Sequence, residues 1–492
     1  MQENENSDVR VLLHHTSMKL QQDILLKLGP LDRLSAALTC RQWAELTSGS
    51  SLLRDVVYRI RESTREESAP RIMMQSRREY RNLEVKQGGD LGLGPKLEAP
   101  EDTNLDKVRQ SSSRIRHLSL KDMAMSEKGL ETLLKCLPNL TSLSLFRFAA
   151  DADLRGVLRS LLNSKQNYMR LRLHNRNTDF TVGEIIKKNA GTLLHLSVFG
   201  VTQDILDAIS TCGKLKHLRL AEDRKFVRDS HIRQITLTAP NLEYLAVDSR
   251  KVTQAVFEQV GVLKMLRDLS VAPRLRPESI RHLGSIRTLQ NFKQPVPACD
   301  LETLRPLANL RDLRSLRLGE AEWTPESFEW IIENFQKLEQ LYVTSYRLRD
   351  CDGEKLHLLK NLKQLTILDA SGLTDHTFER GLGPPELREV HIHHAPLTDV
   401  GLVCMVTRHT SLRILGFTDC QRITDEGLIF LLRNQPRLRV LIVPSTNITD
   451  ASLRELENLC PHLEFLEGSS RMTKDALLSF SSQRPSVELY GA

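Results

Sequence analysis

A phrase built on leucine recurs along most of this 492-residue chain, and it limits the fold more than any other feature. "LRILGFTDCQRITDEGLIFLLRNQP" starts at Leu412 and "LRVLIVPSTNITDASLRELENLCP" at Leu438. Each opens with LxxLxL, passes through a polar stretch to I-T-D, and continues into an amphipathic segment. The same opening stands at Ile115, Leu140, Tyr168, Leu193, Leu215, Leu242, Leu266, Ile286, Leu313, Leu338, Leu362, Leu387 and Leu463, with most steps 24 to 28 residues long. An earlier match lies in "YRNLEV" (Tyr80, Leu83, Val85), and a frayed last one falls near Val487 and Leu489. Leu441 and Val443 are two apart, so a strand points both to one side. Leu453 and Leu456 are three apart and share a helix face, and Thr449 or Asp450 is placed to cap that helix. "TPESFEWIIENF" is sharper: Thr324 as cap, Pro325 at the first helical position, and Phe328, Ile331, Ile332 and Phe335 at i, i+3, i+4 and i+7.

One strand and one helix cannot bury an apolar side alone. Stacked neighbours can, with parallel strands on one side and helices on the other. The period and the LxxLxL phrase predict an α/β leucine-rich repeat solenoid over 80–492, with about 15–16 repeats. Two stretches depart from it. The step from Leu266 to Ile286 is only 20 residues, and the proline-bearing 291–310 reads as loop in place of a helix. The glycine-rich 86–104 reads as a flexible insertion, since no GK[ST] follows to make a phosphate loop.

Residues 16–60 follow another pattern. "KLQQDILLKLGPLDRLSAALTCRQWAELTSGSSLLRDVV" reads as short helices broken at Gly29-Pro30 and near 48–51, after a polar 1–15 and before a linker helix over 61–79. Leu31, Leu34, Ala36, Ala37 and Leu38 cover more than one side of the second helix. So short a segment cannot bury that much apolar surface internally, so part of it must meet another surface.

This segment resembles the F-box, the adaptor-docking module of SCF ubiquitin ligases. The match runs without gaps through Ile24, Leu25, Leu28, Pro30, Asp32, Leu34, Ala36, Ala37, Leu38, Cys40, Arg41 and Trp43. Family members show D-L-x-x-A-x-x-V-C-R-x-W where this chain has "DRLSAALTCRQW". It departs at the start, where Thr16, Ser17 and Lys19 replace the usual Leu-Pro and acidic residue, and at Thr39, which replaces valine. The repeats in turn resemble the cysteine-containing subclass found in F-box proteins, through Cys420 in "FTDC" and Cys460 in "LCPHL"; Ala370, Ala395 and Thr446 fill the first of these places elsewhere. The resemblance implies a non-catalytic substrate receptor. Ile24, Leu25, Leu28, Pro30, Leu34, Leu38 and Trp43 would dock a Skp-type adaptor and, through it, cullin and RING subunits, while the repeats hold a protein substrate. The alternatives are a simple N-terminal cap on the array, or a repeat scaffold or inhibitor with no role in ubiquitin transfer.

Residues alternating with the core leucines form outward columns along the strands. Most are polar, but Ile414, Val440 and Phe465 follow one another, with Ile442 beside Val440. Such an apolar cluster marks a candidate substrate contact, unless the tail 471–492 covers it. Arg170, Arg172, His174, His195, His217 and Arg219 form a basic sector suited to an acidic or phosphorylated segment. "HIHH" at 391–394 lacks a third ligand at metal-binding spacing, so no metal or cofactor is expected. No HExxH, GxSxG or Walker loop occurs, so no enzyme is expected. The balance of 69 basic and 62 acidic residues is nearly even and aromatic content is 5%, which disfavours nucleic acid as a partner. The eight cysteines include no CxxC, the start lacks a signal peptide's apolar stretch, and no run is long enough to span a membrane. Those three features predict cytoplasm or nucleus.

Overall fold

The computed structural model describes residues 57–61, 82–86, 115–121 and most of 130–490, with short interruptions that mainly follow strands. The segment up to residue 56, the expected linker helix beyond Arg61 and residues 87–104 of the expected insertion therefore lie outside the described residues, while Lys86 belongs to a strand. The chain falls into two compact units, Met1–Phe226 and Val227–Ala492.

In the first unit, β1 (Val57–Arg61), β2 (Asn82–Lys86), β3 (His117–Lys121), β4 (Ser142–Phe146), β5 (Arg170–His174), β6 (His195–Phe199) and β7 (His217–Ala221) each pair in parallel with the next. Helices Leu154–Asn163, Phe180–Asn189 and Gln203–Ile209 lie between the later strands. The position of β1 corrects two expectations. Residues 57–60 are strand, not the end of the helical segment, and the array begins one strand before Tyr80. The five residues VYRIR carry two β-branched side chains and one aromatic, which favour a pleated neighbour over a helix.

In the second unit the strands are β8 (Tyr244–Val247), β9 (Asp268–Val271), β10 (Asn291–Lys293), β11 (Ser315–Arg317), β12 (Gln340–Thr344), β13 (Gln364–Leu368), β14 (Glu389–His393), β15 (Ile414–Thr418), β16 (Val440–Ile442), β17 (Phe465–Glu467) and β18 (Glu488–Tyr490). All pair in parallel, in chain order. Alternation sorts the side chains: Leu365 and Ile367 of β13 are buried, while Gln364 and Thr366 are half-buried. The helix Pro325–Asn334 follows its sequence cues. Thr324 accepts a bond from the Ser327 N–H at 3.2 Å, Pro325 opens the helix, and Phe328, Ile331, Ile332 and Phe335 are buried.

The short step at Ile286 disappears in the structure. Phe292 pairs with Leu269 on one side and Leu316 on the other, so the repeat opens at Leu289 and the strand lies three residues later than expected. Ile286 is buried in the turn before the strand, where Leu263 and Leu310 sit in the neighbouring repeats. The 291–310 stretch, expected as loop, keeps a short helix, Leu301–Leu304, followed by the 3-10 turn Arg305–Asn309. Asp300 caps it by accepting from the Thr303 N–H at 2.7 Å.

A carboxylate seam joins successive repeats from Asp350 to Thr473. Asp350 accepts from the N–H and Oγ1 of Thr374, each at 2.7 Å. Asp375 does the same for Thr398, Asp399 for Thr424, Asp425 for Thr449 and Asp450 for Thr473, at 2.6 to 2.9 Å. Each threonine also caps its own helix. The cap residue is thus the threonine, while the aspartate after it reaches forward to the next repeat. Two turns of the pattern are reinforced by a hydroxyl: Thr377 Oγ1 donates to Asp350 and Ser452 Oγ to Asp425, both at 2.5 Å. At Asp375 and Asp399 the matching position is glycine, where a Cβ at Gly401 would touch Asp375 and one at Gly427 would touch Asp399, and at Asp450 it is Ala476. Burial raises the Asp350 and Asp425 carboxyls, but the hydroxyl and N–H donors outweigh it and hold both below the usual carboxylate value.

Four repeats share a backbone device after the strand. Asp369, His394, Asp419 and Ser445 adopt left-handed φ values of 53° to 56°. The residue that follows turns inward and is buried: Ala370, Ala395, Cys420 and Thr446. The left-handed conformation costs an L-residue about 1 kcal/mol that glycine does not incur. The exposed Ser445 should therefore gain about 0.5–1 kcal/mol on Ser445→Gly, read as a higher urea midpoint; a lower midpoint would contradict the strain.

Candidate functional site: the outward strand faces

Each unit carries one non-uniform region on the strand face opposite its core. In the first unit, register aligns three rows across β4 to β7: Ser142, Arg170, His195 and His217; Ser144, Arg172, Ser197 and Arg219; and Phe146, His174, Phe199 and Ala221. Arg170, Arg172 and Arg219 are exposed, so the structure places the basic sector on adjoining strands as expected. Among the described residues no carboxylate lies within ion-pair distance of these three arginines. Their charge is therefore available to a partner.

The third row was only partly visible in the sequence. His174 had been singled out, but it proves to be the middle of a stack, with ring centroids 5.0 Å from Phe146 and 6.1 Å from Phe199. Its Nε2 shares a 2.7 Å hydrogen bond with Ser197 Oγ. Burial, then the charges of Arg219 and Arg172, push the imidazole below its ordinary value, so it is neutral at physiological pH. His195 and His217 stack at 4.2 Å in the first row. The missed signal was the fifth strand position, read off "SLSLF" and "HLSVF" as one step beyond the two columns considered.

In the second unit, Ile414, Val440 and Phe465 are adjacent in register, and Ile442 lies in the next row between Gly416 and Glu467. All four apolar side chains are half-buried. The tail extends the array instead of covering them: 474–483 forms a helix and β18 pairs with β17, placing Glu488 beside Phe465 and the exposed Tyr490 beside Glu467. On the other flank, the His391 ring lies over Gly416, where a Cβ would touch its Nδ1, and Glu389 holds Nε2 at 3.2 Å. Gly416 makes room for His391. His393 is lowered by burial and then by its histidine neighbours, with Asp419 and Asp369 opposing. Among the described residues no three histidines, cysteines or acids gather to hold a metal ion.

Cys420 and Cys460 are packing residues. Both are buried, with Sγ near backbone carbonyls (Ile392 at 3.7 Å and Gln435 at 3.9 Å), and burial pushes each thiol up to about 11. No helix among the described residues is long and apolar enough to cross a membrane. The residues named for adaptor contact (Ile24, Leu25, Leu28, Pro30, Leu34, Leu38 and Trp43) lie outside the described residues.

Parallel strands of period near 25 with core leucines, each followed by a helix or helical turn, define a leucine-rich repeat protein. Residues 18–55 match the F-box domain model, so the chain joins an F-box to a leucine-rich repeat array. Among solved structures, it is similar to the yeast Rad7 and Elc1 complex (13% identity, 99% of this chain and 96% of that one, TM-score 0.35). It is also similar to the TLR13–ssRNA13 complex (15% identity, 80% and 62%, TM-score 0.37) and to an internalin, inlF, of Listeria monocytogenes (16% identity, 78% and 89%, TM-score 0.30). No curated protein sequence matches the chain.

Proposed function

We propose that this protein is a non-catalytic substrate-recognition subunit of an SCF-type ubiquitin ligase, working in the cytoplasm or nucleus. The observation that carries the reading is the F-box match at 18–55 directly ahead of a repeat array. In this role Ile24, Leu25, Leu28, Pro30, Leu34, Leu38 and Trp43 supply the apolar contacts to the adaptor. The adaptor links the chain to cullin and RING subunits. The array presents a protein substrate on its outward strand faces, with Ile414, Val440, Ile442 and Phe465 as one contact and Arg170, Arg172 and Arg219 as another. Its contribution to ubiquitin transfer is positioning, which raises the effective concentration of the substrate near the charged enzyme.

The test is co-purification of the full chain with a Skp-type adaptor. The native chain should retain adaptor at micromolar concentration, and Trp43→Ala or Leu34→Asp should weaken capture at least about tenfold, or about 1.4 kcal/mol. A native chain that retains none would leave the array as a scaffold or inhibitor.

A further inference from the structure

The proposed substrate role leaves the kind of substrate open, and the first unit's strand face narrows it. We infer, resting on that role, that β4 to β7 bind an extended, unphosphorylated segment carrying an acidic and an aromatic side chain two residues apart. Arg172 and Arg219 occupy one row with Ser197 between them, and the stack of Phe146, His174 and Phe199 occupies the next. Positions two apart on a strand are roughly 7 Å apart, and the same spacing separates same-side residues of any extended peptide. A peptide running along the strands therefore sets one side chain over the guanidinium row and its i+2 neighbour over the rings.

The charges favour a carboxylate over a phosphate. Arg172 and Arg219 are two strands apart, roughly 10 Å at their Cα atoms. Ser197 lies between them in register. The Ser197 hydroxyl between them is engaged by His174 at 2.7 Å. His174 is neutral, so it adds an aromatic surface and no third charge to the row. A tetrahedral dianion needs several donors at one place, whereas a carboxylate is satisfied by one forked guanidinium. The ring row accepts an aromatic side chain through offset stacking.

The experiment measures fluorescence anisotropy of short labelled Gly/Ser peptides with blocked ends, containing Glu-Ser-Phe or Phe-Ser-Glu, titrated with the full chain. At least one orientation should bind saturably, and its affinity should fall as salt is raised. Glu→Gln or Phe→Ser in the peptide should weaken it about tenfold or more, as should Arg172→Glu or Phe199→Ser in the protein. Arg172→Gln, a milder change on an exposed side chain, should give a smaller loss with an unchanged far-ultraviolet spectrum. Absence of saturation up to about 1 mM would overturn the inference, as would equal binding by a peptide with Glu and Phe adjacent. Binding that appears only when phosphoserine replaces Glu would reassign the face to phosphorylated partners. Adaptor capture by the same preparation separates the two readings: capture without peptide binding removes this inference alone, and peptide binding without capture removes only the ligase role.

Discussion

Asp425→Ala is expected to destabilise the second unit by about 3 kcal/mol. Asp425 accepts from the N–H and Oγ1 of Thr449 at 2.9 and 2.6 Å and from the N–H and Oγ of Ser452 at 3.2 and 2.5 Å. Charge-assisted bonds are worth roughly 1.5–3 kcal/mol each in net terms, but these share one half-buried carboxylate, so they do not add in full. Alanine strands donors of which the Ser452 side chain is fully buried. The loss should appear as a lower urea midpoint and as faster amide exchange in helices Asp425–Asn434 and Asp450–Leu459, because a repeat array transmits a local defect mainly to its neighbours. An unchanged midpoint would remove the seam from the account of stability. Acid should act on the same feature. The folded-state carboxyls of Asp350 and Asp425 lie below their ordinary value, so their contribution is complete above about pH 4 and is lost as pH falls through the folded values. Asp425→Ala should flatten that acid limb.

Trp323→Ala should cost more, about 3–5 kcal/mol, by the cavity it opens. Trp323 is fully buried and sits edge-on to Phe328 with ring centroids 6.2 Å apart. It directly precedes the Thr324 cap, and its backbone N–H bonds the Thr344 carbonyl at 3.2 Å, which ties it to the following repeat. The half-buried Trp330, on the outer side of the same helix, is the control: Trp330→Ala should cost about 1–2 kcal/mol. Equal losses at the two positions would show that the burial difference does not govern them.

The repeat was legible because its signal is redundant. Leu313, Leu338, Leu362, Leu387, Leu412, Leu438 and Leu463 all proved buried, and each is supported by a second and usually a third apolar residue in phase. The reading slipped where that redundancy thinned. At Ile286 an isoleucine three residues early imitated the opening leucine, and Phe292 completed a phrase that looks like LxxF instead of LxxL. At Val57 the strand stands one full period, 25 residues, before Asn82, but the phrase there is DxxYxI, with no leucine to flag it. The seam escaped for another reason. The I-T-D tripeptide was seen, but a carboxylate that bonds some 24 residues onward is invisible to any local capping rule. In the outward faces, the arginines and apolar cluster were legible as columns. The ring stack was not, because its members sit at the strand ends and gain meaning only from the lateral register of β4, β5 and β6.

The aspartate–threonine links also run in one direction. Every member from Asp350 to Asp450 offers its acceptor forward, and Lys474 takes the place after Thr473 where another acid would continue the series. Duplicating one such module supplies both halves of a new joint at once, whereas excising one leaves matching halves to meet. A chain of this design can change length by whole copies without inventing new contacts, so its reach is adjustable by gene-level copying while the chemistry of each joint stays the same.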